Sequence, residues 1–165
     1  MAFSIRPLSE DDWEPFRDLR LRMLQDTPIA FNERYEDVVD LDELAWRDRL
    51  ARALPPRTAA FIAIADDGTW IGIMRGVLSR TRGPMLAGVF VDPRWRGPQA
   101  GVADALLEAV IHWARQQGPA LRLNVHADNP RAVAFYRRHG FVETGRSHPY
   151  ELPPYGREIE MLRAL

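Results

Sequence analysis

Between Val91 and Val110 the sequence reads VDPRWRGPQAGVADALLEAV. An apolar run closes at Val91, and a turn rich in glycine, proline and arginine follows. Beyond it Leu106, Val110 and Trp113 recur at helical spacing. The segment therefore predicts a strand, a tight elbow and an amphipathic helix from Val102 to Gln116. A helix start carries unpaired N–H groups with partial positive charge, and small residues before it let an anion approach them. Taken alone, the elbow reads equally well as a phosphate cradle and as an ordinary strand-to-helix turn.

The rest of the chain places that elbow inside an alternating pattern. Phe3–Leu8 alternates apolar and polar as a strand does. Ser9, followed by acids, signals a helix start, and Trp13, Phe16, Leu19 and Met23 give that helix its apolar stripe. A second helix is expected from Asp42 to Leu54, stopped by Pro55 and Pro56. Two apolar runs flanking Asp66-Asp67-Gly68 predict a hairpin, and Met85–Val91 a third strand. After the elbow helix come a strand over Leu121–Ala127 and a helix opened by Asn129-Pro130 and ended by Gly140. Short strands over Phe141–Arg146 and Ile159–Leu162 follow. The order β-α-α-β-β-β-α-β-α-β-β describes one α/β domain over residues 1–165, with a strand–helix–strand crossover in its second half.

Composition removes several function classes. The 165 residues are 46% hydrophobic and 27% charged, with a net charge of −1, so nothing pulls the chain toward nucleic acid or an anionic membrane. Cysteine is absent, which excludes disulfides, thiolate nucleophiles and Cys-ligated metals. Lysine is absent as well, and a P-loop needs one at its phosphates. No secretory pattern or membrane-spanning run is present, which points to the cytoplasm.

A second stretch gives the elbow its meaning. LRLNVHADNPRAVAFYRRHGF spaces Asn129, Ala132, Tyr136, Gly140 and Phe141 at fixed intervals. Together with the elbow it resembles the GNAT superfamily of acyl-CoA-dependent N-acetyltransferases. Their pattern is a strand ending in V-x-P, then R-G-x-G-x-G/A opening a helix, and later N-x-x-A-x-x-x-Y-x-x-x-G-F. Val91, Pro93, Arg96, Gly97, Gly101 and Ala103 match the first part. Two departures stand out. RGPQAGVA is longer by two residues, with Pro98 where the phosphate turn normally begins, and proline donates no N–H. Asn124 stands where many members that acetylate protein N-termini carry a glutamate base.

The resemblance implies a mixed, mostly antiparallel twisted sheet of about six or seven strands flanked by about four helices, with a splayed central strand pair. It implies acetyl-CoA as co-substrate, no metal, and direct attack by an amine in a ternary complex. The oxyanion donor is expected among Val89, Phe90 and Val91. Arg96, Gly97, Gln99, Ala100, Gly101, Val102 and Ala103 make up the cofactor elbow, and Asn129 caps its helix while facing the pantetheine arm. Tyr136 matches the general acid. His126 is a candidate base, two residues beyond Asn124 on the same strand face; it also reads as an ordinary strand-end histidine. Glu33 and Glu36 are the alternatives, in an acidic segment that would suit a cationic acceptor or simply be a solvated surface. The partner is a small-molecule or peptide amine, with no nucleic acid or membrane; a homodimer is allowed. The competing reading is a module that senses acyl-CoA without turnover.

The cofactor reading is tested by heat. A ligand at 100 times its Kd adds about 2.7 kcal/mol, so acetyl-CoA should raise the Tm by several degrees. If neither acetyl-CoA nor CoA moves the transition at millimolar concentration, the assignment is wrong.

Overall fold

The computed structural model describes residues 2–165. Among them, seven strands form one sheet in the order β1-β2-β3-β4-β5-β7-β6. The strands are β1 Phe3–Pro7, β2 Thr58–Ala65, β3 Trp70–Ser79, β4 Gly83–Val91, β5 Ala120–His126, β6 Val142–Pro149 and β7 Arg157–Ala164. Four α-helices cover the faces: α1 Trp13–Asp26, α2 Glu43–Arg52, α3 Val102–Arg115 and α4 Pro130–Arg138. Neighbouring strands are antiparallel except β4 and β5, which are parallel. The mixed sheet, its strand number and its helix number agree with the sequence reading.

The sheet separates two apolar cores. On one face α3 buries Val102, Leu106, Val110 and Ile111 against Ile71, Met74, Leu86 and Leu121. The helix sits close because Gly76 on β3 has no side chain: a Cβ there would overlap the Trp113 ring. On the other face Phe16, Leu19 and Met23 of α1 and Trp46 and Leu50 of α2 pack on Ile62, Ile73 and Phe90. α4 starts as its sequence suggests, with Asn129 Oδ1 accepting from Ala132 N–H at 3.3 Å. It ends at Gly140, beyond which Phe141 N–H donates to Tyr136 O at 3.0 Å, satisfying an end carbonyl.

Three element bounds differ from expectation, and two of the differences have identifiable reasons. The first helix begins at Trp13, not after Ser9. Asp12 accepts from Ser9 N–H at 2.8 Å and from both terminal nitrogens of Arg6, so residues 9–12 close as a turn first. β6 runs to Pro149, beyond the expected Arg146, and all of its residues are exposed. With neither face buried it leaves no apolar alternation to read. β7 is likewise longer than the expected Ile159–Leu162.

Leu106 is fully buried under the sheet. Leu106→Ala should cost about 2–5 kcal/mol, while Leu44→Ala, at a 77% exposed position, should stay within about 0.5 kcal/mol. Urea denaturation of the two variants checks this, and equal midpoints would contradict the packing described.

Candidate active site

β4 and β5 share one paired position, Met85 opposite Arg122; beyond it they part. The other edge of β4 is irregular at the same height. Arg75 pairs with Ala87 and Ile73 with Phe90, so Gly88 and Val89 together face Met74 alone. That is a β-bulge, and Gly88 accommodates it at φ +58°. An antiparallel strand turns every second N–H away from its partner. Beyond Met85 the outer edge of β4 has no paired partner on β5. A cavity of about 450 Å³ fills the gap. Val89, Phe90 and Val91 line one wall and Asn124, Val125 and His126 the other. Asn129, Ala132 and Tyr136 of α4 and Ala103 of α3 also contribute.

The elbow brings α3 to this cavity by its N-terminus. Gly101 is the residue before the helix, in the left-handed region at φ +72°, and no side chain caps the first turn. By contrast Asp42 caps α2 and Asn129 caps α4. The first-turn amides of α3 have no intrahelical acceptor and are available to an anion. Gly97 and Ala103 line the cavity; Gln99, Ala100, Gly101 and Val102 lie along the elbow and do not. Arg96 lines it too, but its guanidinium is already committed. Nε donates to Val91 O at 2.8 Å, and Nη2 donates to Asp26 at the end of α1. Arg94 pairs with Asp92 and is largely exposed. The main chain is the part of the elbow free to hold phosphate.

Tyr136 is buried on the cavity wall, its ring edge-on to Phe135 and Phe141. Burial pushes its phenol well above the ordinary value, so the hydroxyl keeps its proton near neutral pH and has one to donate. Asn129 both caps α4 and lines the cavity. His126 is brought to the site, but both ring nitrogens are occupied. Nδ1 accepts from Asp128 N–H at 3.1 Å, which assigns the hydrogen to Nε2; Nε2 then donates to Tyr155 O at 2.6 Å. Its ring also meets Tyr150 edge-on. This histidine fastens the loop between β6 and β7.

A carboxylate that the sequence reading missed lines the same cavity. Glu158 on β7 is 5% exposed and stands opposite His126 in the β5–β7 register. Asn32 Nδ2 donates to one oxygen at 2.9 Å, and His148 Nε2 lies 3.1 Å from the other. Its signal was an acid alternating with Ile159 and Met161, an inward charge on an apolar strand.

The acidic candidates near the N-terminus lie elsewhere. Neither Glu33 nor Glu36 lines the cavity, and Glu36 is exposed. Glu33 bonds Arg20 at 2.9 Å and Arg49. Burial pushes its carboxyl up, but the two guanidiniums outweigh that and hold it below the usual range. Four other acids nearby are paired as well: Asp26 with Arg96, Asp37 with Arg34, Glu43 with Arg47 and Asp48 with Arg52. Arg20, Arg75, Arg96 and Arg131 line the cavity against one glutamate, Glu158. Among the described residues no cluster of three or more His, Cys, Asp or Glu is placed to hold a metal.

Comparison with known proteins gives this geometry its relatives. The model of the acetyltransferase (GNAT) family matches residues 9–141. The peptidyl-lysine N-acetyltransferase YjaB of Escherichia coli K12 is 30% identical over 156 residues, 94% of this chain and 93% of the relative. The L-amino acid N-acetyltransferase AaaT of the same organism is 31% identical over 113 residues, 65% of this chain and 66% of the relative. The fold superposes on a phosphinothricin acetyltransferase of Sinorhizobium meliloti, solved in complex with AcCoA. The TM-score is 0.79 at 17% identity, covering 100% of this chain and 89% of that one.

A side chain at position 101 meets no atom within 4 Å, so the constraint there is the positive φ. Gly101→Val should cost about 1–3 kcal/mol of stability and weaken acetyl-CoA binding far more than Arg94→Ala. Titration calorimetry on both variants decides it; equal affinities would remove the helix start from the phosphate site.

Proposed function

This chain belongs to the acetyltransferase (GNAT) family, and from that premise we propose that it moves the acetyl group of acetyl-CoA onto a primary amine of a small molecule or peptide by direct attack in a ternary complex. It is an acyltransferase by family. The names of its relatives support both kinds of acceptor, peptidyl-lysine for YjaB and amino acids for AaaT. The observation that carries the reading is the parted β4–β5 pair, paired only at Met85 and Arg122, with Tyr136 on the wall of the gap.

The roles follow from placement. The pyrophosphate sits at the uncapped start of α3, where unpaired amides and the helix dipole favour negative charge. Asn129 and Ala132 border the pantetheine arm. As the amine nitrogen bonds to the acetyl carbon, negative charge grows on the carbonyl oxygen. A β4 N–H among Val89, Phe90 and Val91 donates to it. The carbon–sulfur bond then breaks, and the sulfur leaves with a proton from Tyr136, whose burial keeps that proton in place until it is needed. Glu158 receives the proton shed by the attacking amine, directly or through water. His126 is a positioning residue, because its nitrogens hold the loop beside Tyr155. No described helix is long and apolar enough to cross a membrane.

Tyr136→Phe keeps the ring and removes the hydroxyl. It should lower kcat by about 10²–10⁴ with little change in acetyl-CoA affinity. Glu158→Gln should also lower kcat, and the loss should shrink as pH rises and free amine accumulates. Steady-state CoA release with both variants, under conditions where chemistry limits the rate, is the check. A Tyr136→Phe enzyme with wild-type kcat would take the residue out of the mechanism.

A further inference from the structure

Behind β4, on the α1–α2 face, lies a second cavity of about 260 Å³. Arg20, Arg49, Arg52 and Arg75 line it over an apolar floor that includes Leu19 and Ile73. Arg20, Arg75 and Gly88 line this cavity and the one between β4 and β5 alike, so the arginines border the place where the acetyl group is transferred. Their charge is not balanced. Arg52 pairs with Asp48 at 2.8 Å. Arg20 and Arg49 share one carboxylate, Glu33. Arg75 forms no hydrogen bond or ion pair among the described residues, and its Nε lies 2.7 Å from where a Cβ of residue 88 would be. A guanidinium offers five N–H donors in a planar fork, and taking it from water without an anion is costly. Burial, followed by the nearby Arg20, lowers Arg75 to about 10, so it remains charged at neutral pH. No carboxylate lines this second cavity. Arg75 is half-buried and opens onto both cavities, so an anion entering there meets a guanidinium with no carboxylate bound to it.

We propose that this arginine pocket binds a carboxylate carried by the acceptor, with Arg75 as the group that receives it. The substrate class is then an amino acid, with amine and carboxylate on one small molecule. The inference rests on the reading of the chain as an N-acetyltransferase and narrows it. The carboxylate docks on Arg75 behind Gly88, and the amine of the same molecule reaches the carbonyl held on β4. A peptide lysine with no nearby carboxylate leaves Arg75 unpaired and the pocket unused.

The test measures CoA release with a panel of α- and ω-amino acids bearing uncharged side chains, beside their carboxamides. It uses wild type, Arg75→Gln and Arg75→Lys. Wild type should favour acids over matched amides by at least about tenfold in kcat/KM, as expected for charge-assisted hydrogen bonds. Arg75→Gln should collapse that ratio toward one, chiefly through the acceptor KM. Arg75→Lys should restore part of it, because an ammonium keeps the charge without the fork. The acetyl-CoA thermal shift of each variant reports whether fold and cofactor site survive. If Arg75→Gln does not fold, the wild-type ratio and Arg75→Lys still decide. Amides that react as well as acids, a ratio that survives Arg75→Gln, or no turnover of any acid would each overturn the proposal. Turnover confined to lysine peptides, with acetyl-CoA still stabilising the fold, sinks this inference and leaves the acetyltransferase reading standing. Loss of the acetyl-CoA shift in wild type sinks both.

Discussion

The parting of β4 and β5 is the constraint on which the rest of the molecule depends. A continuous sheet would pair every backbone group along both strands. Here the pairing stops at Met85 and Arg122, and the bulge at Gly88 and Val89 bends β4 on its other edge at the same height. The open backbone must be reconciled with water and with ligand, and the neighbouring elements are arranged to do so. α3 brings an uncapped N-terminus, α4 brings Tyr136 and Asn129, and β7 brings Glu158. Two separate apolar cores, one on each face, hold the sheet rigid enough for a split through its middle.

Electrostatics divide the split into two sides. Toward α3, positive charge is diffuse and comes from the main-chain dipoles of an uncapped helix start, since Arg96 is bound to Val91 and Asp26. Toward α1 and α2, positive charge comes from guanidiniums, with Glu33 neutralising only part of it. The acids counted between Asp26 and Ala53 suggested an environment for a cationic acceptor. The fold ties five of those acids to arginines, and the charged side chains that line the cavity are four arginines and Glu158. A charge count along a chain says nothing about pairing, and pairing decides the field.

Much of the architecture was legible because it rests on local rules. The elbow, the α3 stripe, the Asn129 cap and the Gly140 stop are each set by a few adjacent residues, and each stands where expected. The exposed strand β6 was misjudged because an edge with no buried face has no periodicity. The start of α1 was misplaced because Arg6, from the preceding strand, competes for Asp12. Gly97, Ala103, Asn129 and Tyr136, which line the cavity, were legible through short-range motif spacing; Arg20, Arg49, Arg75 and Glu158 were not, because they come from four elements that meet only in the folded chain. One trace of these four was nevertheless visible: Arg75 is the one charge in the run WIGIMRGVL.

The cations around the cavity are all guanidinium, and the chain contains no lysine at all. An acetyl thioester is an electrophile that also reacts, without any enzyme, with unprotonated amines around it. Lysine side chains are targets of such modification, whereas arginine holds its proton far above neutral pH. Ammonium walls beside a bound thioester would be open to slow acylation. Walls of arginine offer no such amine, so the positive sites around the cavity are ones an acetyl thioester leaves intact.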